Sequence, residues 1–228
     1  MALSHSPSTA ISGLAFHFDA ANRRCYSGSG LTVNDLISGI SGSLVNGATF
    51  SQSPSPYFDF DGSNDYISFP KLDALNGKTS FTFSVFCSRE GGFFVINQGT
   101  SYPESTFLSL YSSTVYFSVS ANSGSQAYGY YFNEFNGYRH FVAVFDGTQT
   151  GNSNRLKMYE NGVLQSISFS QTIPNITTTT GSEFEIGVIK YNSYYTSSSV
   201  SIIQVYNRAL NNVEIKQLYN SFRDRYRI

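Results

Sequence analysis

The sequence contains no tryptophan, few charged residues and only two cysteines, Cys25 and Cys87. Charged side chains make up 13% of the 228 residues, and because such side chains normally form the solvent face of helices, this composition disfavours a long helical bundle. The cysteines lack metal-ligand spacing, and whether they pair stays open. No window approaches the roughly 20 apolar residues of a membrane span, and residues 1–9 lack the basic and apolar segments of a signal peptide.

Neither sign of charge dominates the chain. Lys and Arg number 14, Asp and Glu number 15, and the net charge is −1. We therefore expect neither nucleic acid nor a membrane as a partner. The one basic cluster is Arg223, Arg225 and Arg227 at the C-terminal end. These residues either complement the dipole at the end of a helix or form a tail that contacts neighbouring subunits.

Aromatic residues are abundant, with 20 Phe and 17 Tyr, and they fit the half-buried surface of β-strands. The clearest alternation places Phe81, Phe83, Val85 and Cys87 on one face of a strand. Phe86 points to the other face, where a flat aromatic surface could pair with a second copy. Asn161-Gly162 predicts a tight turn between strands at 156–160 and 163–169.

Only one segment has helical periodicity, and it predicts a short helix over 212–222. Asn211 is a suitable N-cap, and Glu214 completes a capping box. The apolar positions are Ile215, Leu218, Tyr219 and Phe222. About a dozen strands without long helices between them indicate two stacked antiparallel sheets. The predicted fold class is all-β: an antiparallel two-sheet sandwich with one C-terminal helix. Residues 1–10 form an N-terminal arm, and 11–228 form a single domain.

Three segments carry motifs at a consistent order and spacing: 58–67 (FDFDGSNDYI), 138–163 (YRHFVAVFDG, then LKMYENGV) and 184–215 (FEIG, VYNRAL and EI). Together they resemble the laminin-G-like, concanavalin A-like jelly rolls, and this resemblance implies the jelly-roll form of the sandwich. The sequence departs from the family pattern at Tyr138, where relatives have Trp, and at 199–201, where an acidic residue is missing.

The two ends of the domain carry a narrower resemblance. Residues 13–22 (GLAFHFDAAN) and 219–228 (YNSFRDRYRI) are similar to the corresponding segments of bacteriophage structural proteins, cyanobacterial phages in particular. This resemblance implies a virion component, namely a capsid decoration, head fibre or tail protein at the particle surface. Its partners would be other virion proteins or copies of itself, contacted by the arm and by the arginine tail.

The sequence contains only weak indications of a catalytic site or a metal site. No E-x-D-x-x-E strand occurs, and we expect Glu183 and Glu185 to be solvated, because the neighbouring Phe184 and Ile186 take the inward face. His17 and His140 lie in strand-like runs, which favours a structural role, so we expect no enzyme and no required cofactor. The family resemblance implies a possible calcium site at the sandwich rim. Its candidate ligands are Asp61, Asn64 and Asp65, residues that equally favour turns.

Two segments rich in Tyr, Ser, Gly and Asn, 120–131 and 191–199, predict recognition loops. The candidate contact residues are Tyr128, Tyr130, Tyr131, Tyr191, Tyr194 and Tyr195. They could bind host-surface glycans or neighbouring subunits, or be ordinary solvated loops. The sequence thus leads to a non-enzymatic virion structural protein as the main hypothesis, with a carbohydrate-binding, lectin-like adhesion module as the alternative and an unrecognised glycosidase as the third.

Overall fold

The structure, a computed structural model, describes residues 9–53, 55–89, 93–101, 104–120, 126–134 and 137–226. Two helices are α1 (Asn152–Arg155) and α2 (Asn212–Tyr226). The strands, in chain order, are β1 (Leu14–Asp19), β2 (Thr32–Asn34), β3 (Ser41–Val45), β4 (Thr49–Ser51), β5 (Tyr57–Asp59), β6 (Tyr66–Phe69), β7 (Ser80–Arg89), β8 (Phe94–Gln98), β9 (Thr106–Tyr111), β10 (Thr114–Val119), β11 (Ala127–Phe132), β12 (Gly137–Asp146), β13 (Leu156–Glu160), β14 (Val163–Leu164), β15 (Ser168–Ser170), β16 (Phe184–Ile186), β17 (Val188–Ile189), β18 (Tyr194–Tyr195) and β19 (Ser199–Tyr206).

Two large antiparallel sheets form a sandwich, which confirms the predicted fold class. Sheet A has eight strands in the order β14-β13-β12-β7-β19-β5-β4, with β1 also paired to β19. Sheet B has nine strands in the order β15-β11-β10-β9-β8-β16-β6-β3-β2. A separate pair, β17-β18, makes a small hairpin. Neighbouring strands in each large sheet are often distant in sequence, so the fold depends on long-range pairing.

The main core lies between the two sheets and follows from the period-two alternation of aromatic residues. Phe81 and Phe83 of β7 face the ring of Phe117 in β10 at centroid distances of 5.8 and 6.0 Å, edge to face. Cys87 belongs to the same buried cluster, as predicted. Cys25 and Cys87 are buried and do not form a disulfide, and burial raises the pKa of Cys25 to about 11.

The Asn161-Gly162 turn is confirmed, but the strand after it divides between the sheets. Both turn residues have positive φ, 49° and 78°, as a tight hairpin requires. Strand β14 pairs with β13 in sheet A, whereas β15 pairs with β11 in sheet B. The predicted single strand over 163–169 therefore crosses from one sheet to the other, and Phe169 still packs against the core.

Helix α2 covers part of the outer face of sheet A. Asn211 Oδ1 accepts hydrogen bonds from the backbone N–H groups of Val213 and Glu214, while Glu214 Oε2 accepts one from the N–H of Asn211, which is the predicted capping box. The helix continues to Tyr226, one turn beyond the expected end. Phe86 is fully buried beneath it, with the ring of Phe222 at 5.4 Å. The expectation that Phe86 offers a free aromatic surface is therefore wrong, because the chain's own helix occupies it.

His140 lies in β12, buried beneath the same helix. Its ring stacks on Phe86 at 4.1 Å and lies parallel to Tyr219 of α2 at 6.2 Å. Its Nε2 is 2.9 Å from Ser84 Oγ. Complete burial lowers the pKa of His140 to about 3. His140 is thus a neutral structural residue at neutral pH, in accord with its expected role.

The two ends of the described chain pack onto the sandwich. Residues 1–8 of the predicted arm lie outside the described residues. Ala10 is buried, and its carbonyl accepts a hydrogen bond from Tyr206 Oη at 2.8 Å. In the described part of the chain, no helix is both long enough and apolar enough to cross a membrane.

Candidate functional site

An aromatic groove of about 240 Å³ lies on the outer face of sheet B. Its floor comes from β9, β10 and the start of β11, and its wall from the β17–β18 hairpin together with the residue before β8. The floor residues are Phe107, Ser109, Tyr111, Tyr116, Gln126 and Tyr128. The wall residues are Phe93, Ile189, Tyr191, Asn192 and Tyr194. We refer to these two sets together as the aromatic groove.

Strand alternation explains why tyrosine rings line the floor. In β10 the side chains of Val115 and Phe117 enter the core, so Tyr116 points outward. In β11 the inward position between Tyr128 and Tyr130 is Gly129, where an added Cβ would lie only 2.7 Å from Leu156. Glycine therefore lets β11 lie close over the core while both flanking tyrosines point outward.

The outward rings form a continuous row on the sheet. Tyr116 lies 5.8 Å from Tyr128 and 6.0 Å from Tyr130, centroid to centroid. Tyr130 in turn contacts Phe132 at 5.9 Å. These rings project from paired strands and contact one another, so this aromatic surface is built on sheet B rather than on a loop.

The wall is held over the floor by edge-to-face ring contacts. Phe93 lies 6.0 Å from Tyr111 and 6.1 Å from Tyr194, at interplanar angles of 75° and 71°. Ile189 packs with Phe107 and Val95 in a small apolar cluster. Tyr111 and Tyr194 remain 59% and 53% exposed, so the groove keeps two accessible rings at its mouth.

An ion pair between a half-exposed lysine and a buried glutamate joins the wall to sheet B. Lys190 begins the turn between β17 and β18, and its Nζ contacts Glu185 and, at 2.9 Å, Glu183. Burial acts to lower the pKa of Lys190, but its bonds to the two carboxylates outweigh burial and raise it. Glu185 is only 3% exposed. The expectation that Glu185 is solvated is therefore wrong, because the hairpin covers the outer face of β16 and supplies the cation.

The polar groups of the groove are uncharged. Gln126 is 3% exposed, and its Nε2 donates to the carbonyl of Ser105 at 3.4 Å. Its Oε1 has no hydrogen-bond partner among the described residues. Ser109 on the floor and Asn192 on the wall complete the polar lining. A ligand in the groove would thus meet aromatic faces, hydroxyl and amide groups, and one buried acceptor.

The structure brings together three of the six predicted contact residues. Tyr128, Tyr191 and Tyr194 line the groove, and Tyr130 adjoins it on the same face. Tyr131 has the opposite orientation: it is 6% exposed, and its hydroxyl donates to Glu160. Burial raises its pKa. Tyr195 is half-buried in β18 and does not line the groove.

The predicted recognition loops are partly strands. Tyr128, Tyr130 and Tyr131 belong to β11, and Tyr194 and Tyr195 to β18, while 121–125 lie outside the described residues. Alternation along a strand is the reason that neighbouring tyrosines face opposite ways. Four groove aromatics were not predicted: Phe93, Phe107, Tyr111 and Tyr116. Tyr116 had a usable signal, since it falls between two inward positions of a predicted strand.

The candidate calcium ligands serve the turn before β6. Asp61 Oδ1 accepts a hydrogen bond from the N–H of Ser63 at 2.7 Å. The carbonyl of Asn64 accepts one from Asn46. Burial, with the nearby charge of Asp61, raises the pKa of Asp65. Across the described ranges, no three His, Cys, Asp or Glu side chains converge to hold a metal ion. A calcium site at Asp61, Asn64 and Asp65 stays a prediction, and no role for a metal is derived from it.

The arginines at the C-terminal end belong to α2 as far as they are described. Arg223 and Arg225 occupy its last turn, and Arg227 lies outside the described residues. Arg225 Nη1 pairs with both carboxylate oxygens of Asp19 at 2.9 and 3.0 Å. This contact holds the helix end against β1. A role for these arginines in assembly stays a prediction.

A second hollow, of about 530 Å³, lies at the ends of strands in sheet A. Its lining includes three rings (Tyr57, Phe60 and Tyr138) and one carboxylate (Asp59), and Ser197 to Ser199 form one side. The hydroxyl of Tyr138 accepts a hydrogen bond from Ser201 Oγ at 3.0 Å. This hollow has fewer aromatic residues than the aromatic groove, and it provides a location for control variants.

Comparisons with known protein families and solved structures identify the family and the fold. Residues 61–216 match the model of the family described as the Concanavalin A-like lectin/glucanases superfamily. A comparison with curated protein sequences finds no match. Among solved structures, the chain is similar to the binding domain of botulinum neurotoxin DC in complex with SialylT, with a TM-score of 0.69 and 12% identity over 92% of this chain and 51% of that chain.

Two further structures are similar. One is botulinum neurotoxin type C, whose cell entry is dependent upon interaction with two ganglioside molecules (TM-score 0.70, 13% identity, 92% of this chain and 51% of that chain). The other is Trypanosoma rangeli sialidase in complex with sialic acid (TM-score 0.64, 16% identity, 94% and 34%). The chain spans about half the length of the toxin structures, and at these identities the likeness concerns the fold alone.

Proposed function

The chain belongs to the Concanavalin A-like lectin/glucanases superfamily, and from this premise we propose that it is a non-catalytic carbohydrate-binding module that takes a sugar unit in the aromatic groove. The observation that carries the proposal is the groove itself, in which two exposed rings, Tyr111 and Tyr194, adjoin floor tyrosines that pack edge to face. Aromatic rings offer flat apolar faces to the C–H faces of sugars, and their hydroxyls add hydrogen bonds at low entropic cost.

The groove dimensions support a small ligand. Pockets for drug-sized ligands enclose about 300–1,000 Å³, so the aromatic groove, at about 240 Å³, suits a single sugar unit rather than a buried oligosaccharide. A contact of this size implies weak intrinsic binding, with a Kd of about 0.1–1 mM, which corresponds to a binding free energy of about −5.5 to −4.1 kcal/mol. Strong adhesion would then depend on several copies binding a multivalent glycan surface.

The carboxylates support binding rather than hydrolysis. Retaining and inverting glycosidases use two carboxyl groups that flank the scissile bond. No Asp or Glu of the described ranges lines the aromatic groove. Glu183 and Glu185, the pair that shares a strand segment, both pair with Lys190. The glycan-related structures similar to this chain include toxin binding domains, which favours a binding role on the same fold.

The hypothesis of a virion structural protein does not depend on the aromatic groove. It depends on the resemblance of 13–22 and 219–228 to phage structural proteins, and neither the aromatic groove nor the proteins reported above add support to it. The carbohydrate-binding alternative fits these observations better. Detection of the chain in many copies in purified particles would be needed to revive a structural role.

The proposal can be tested with a glycan array that displays neutral and acidic sugars multivalently, followed by NMR titration of the best ligand. We expect Tyr194→Ala to weaken binding by about 5–10-fold, or about 1–1.4 kcal/mol, because one stacking ring is lost. The ring is half exposed, so the fold should be retained. The matched control is Tyr57→Ala, which removes a ring from the second hollow. Absence of binding by the wild type, or loss with Tyr57→Ala alone, would refute the proposal.

A further inference from the structure

We infer that the aromatic groove selects uncharged sugars and rejects those that carry a carboxylate, such as uronic acids and sialic acid. The inference rests on the proposed function and adds the chemical class of its ligand. It follows from three features of the described residues: the lining has no cation, the one nearby lysine is paired with two carboxylates, and a buried amide oxygen without a partner disfavours a neighbouring carboxylate.

Among the residues that the structure describes, the lining of the aromatic groove contains no Lys, Arg or His. A carboxylate that leaves water for such a surface loses hydration without gaining a counter-charge, and a buried charge without a partner is strongly unfavourable. A sugar hydroxyl at the same position loses much less, because tyrosine hydroxyls and the amides of Asn192 and Gln126 can replace its water contacts.

Lys190 is the one cation in the hairpin that forms the wall, and it points away from the groove. Its Nζ contacts Glu185 and Glu183 and lies 5.0 Å from the ring centroid of Tyr66. Two carboxylates face one ammonium group, so this cluster has a net negative charge. Because the residues on either side of Lys190 line the groove, the residual field at the wall opposes an anionic ligand.

The buried acceptor Gln126 Oε1 disfavours a carboxylate placed beside it. It has no partner among the described residues, although its residue is 3% exposed. The atom is covered, so a ligand reaches it only after the Gln126 side chain rotates; a sugar hydroxyl or amide N–H can then donate to it, whereas an ionised carboxylate only accepts. Acidic sugars also carry hydroxyls, so this acceptor disfavours only a pose that places the carboxylate beside it, since the acceptor then stays unpaired.

The test uses matched sugars that differ at one group: glucose against glucuronic acid, galactose against galacturonic acid, and lactose against 3′-sialyllactose, each displayed at equal density. We expect the neutral member of at least one pair to bind at least tenfold more tightly than its acidic counterpart. Binding of the neutral member should change less than twofold between about 50 and 500 mM salt, because no charge pair contributes.

Two variants separate the causes. Gln126→Met removes the acceptor while keeping side-chain length, and we expect about a tenfold loss of neutral-sugar binding with unchanged circular dichroism. Asn192→Arg adds a cation at the exposed wall and should raise binding of the acidic sugar at least fivefold, whereas Asn192→Gln should not. Tighter wild-type binding of the acidic sugars would overturn the inference and leave carbohydrate binding intact. Binding of no sugar at all would overturn the proposed function, and this inference with it.

Discussion

Acidification should destabilise this fold through His140. The buried, neutral ring has a pKa of about 3 in the folded protein, against about 6.5 when it is exposed in the unfolded chain. Between these values the unfolded state binds a proton that the folded state excludes, so the free energy of unfolding is highest above pH 6.5 and falls as the pH decreases towards 3. The linkage relation gives a loss of about 2 kcal/mol at pH 5 and about 5 kcal/mol once pH 3 is passed.

Urea denaturation at pH 7.5, 6 and 5 can measure this loss. The matched variant is His140→Asn, which keeps a polar side chain near Ser84 but has no proton to bind. The wild type should lose about 2 kcal/mol more than the variant between pH 7.5 and pH 5. His17, whose pKa is also lowered by burial, is present in both proteins, and its contribution cancels. Equal losses in the two proteins would show that His140 does not titrate as its burial requires.

Two further predictions concern the wall of the aromatic groove and the packing of a loop. Lys190→Met should leave Glu185 buried without its cation and lower the free energy of unfolding, measured by urea denaturation, by about 2 kcal/mol. It should also weaken sugar binding, measured by NMR titration. Unchanged binding would contradict the role of the ion pair in positioning the wall. Gly147→Ala should lower the midpoint of thermal unfolding by several degrees, because the added Cβ would lie 2.1 Å from the carbonyl oxygen of Asn175. The control is Gly181→Ala, which should have little effect because no atom lies within 4 Å of its added Cβ.

The sequence was most informative where local alternation determines which side chains are buried. The inward set that begins at Phe81 and the capping box at Asn211 were both predicted from neighbouring residues alone, and both are confirmed. The burial of Phe86 could not be predicted, because the covering residues Phe222 and Tyr226 come more than 130 positions later. The alternation of side chains along a strand shows that Phe86 points away from the main core. It does not show which other part of the chain covers that outer face of the sheet.

The aromatic groove could likewise be predicted only in part from the sequence. Tyrosine-rich composition indicated Tyr128, Tyr191 and Tyr194, which line the groove. Composition treats every tyrosine in a segment alike, however, and so included Tyr131, which alternation turns inward. The contact between Phe93 and Tyr194 joins segments about 100 residues apart. Such contacts depend on strand order, which a single sequence does not reveal.

The floor of the groove belongs to sheet B and its wall to a short hairpin, so the wall can be varied separately from the sheet. Residues 191–194 form one side of the cavity, while Lys190 holds the hairpin to sheet B from outside it. A library that randomises 191–194 and retains Lys190 would change the chemistry presented to a ligand without disturbing the supporting sandwich. The domain could thus serve as a compact scaffold from which binders for other small polyols are selected.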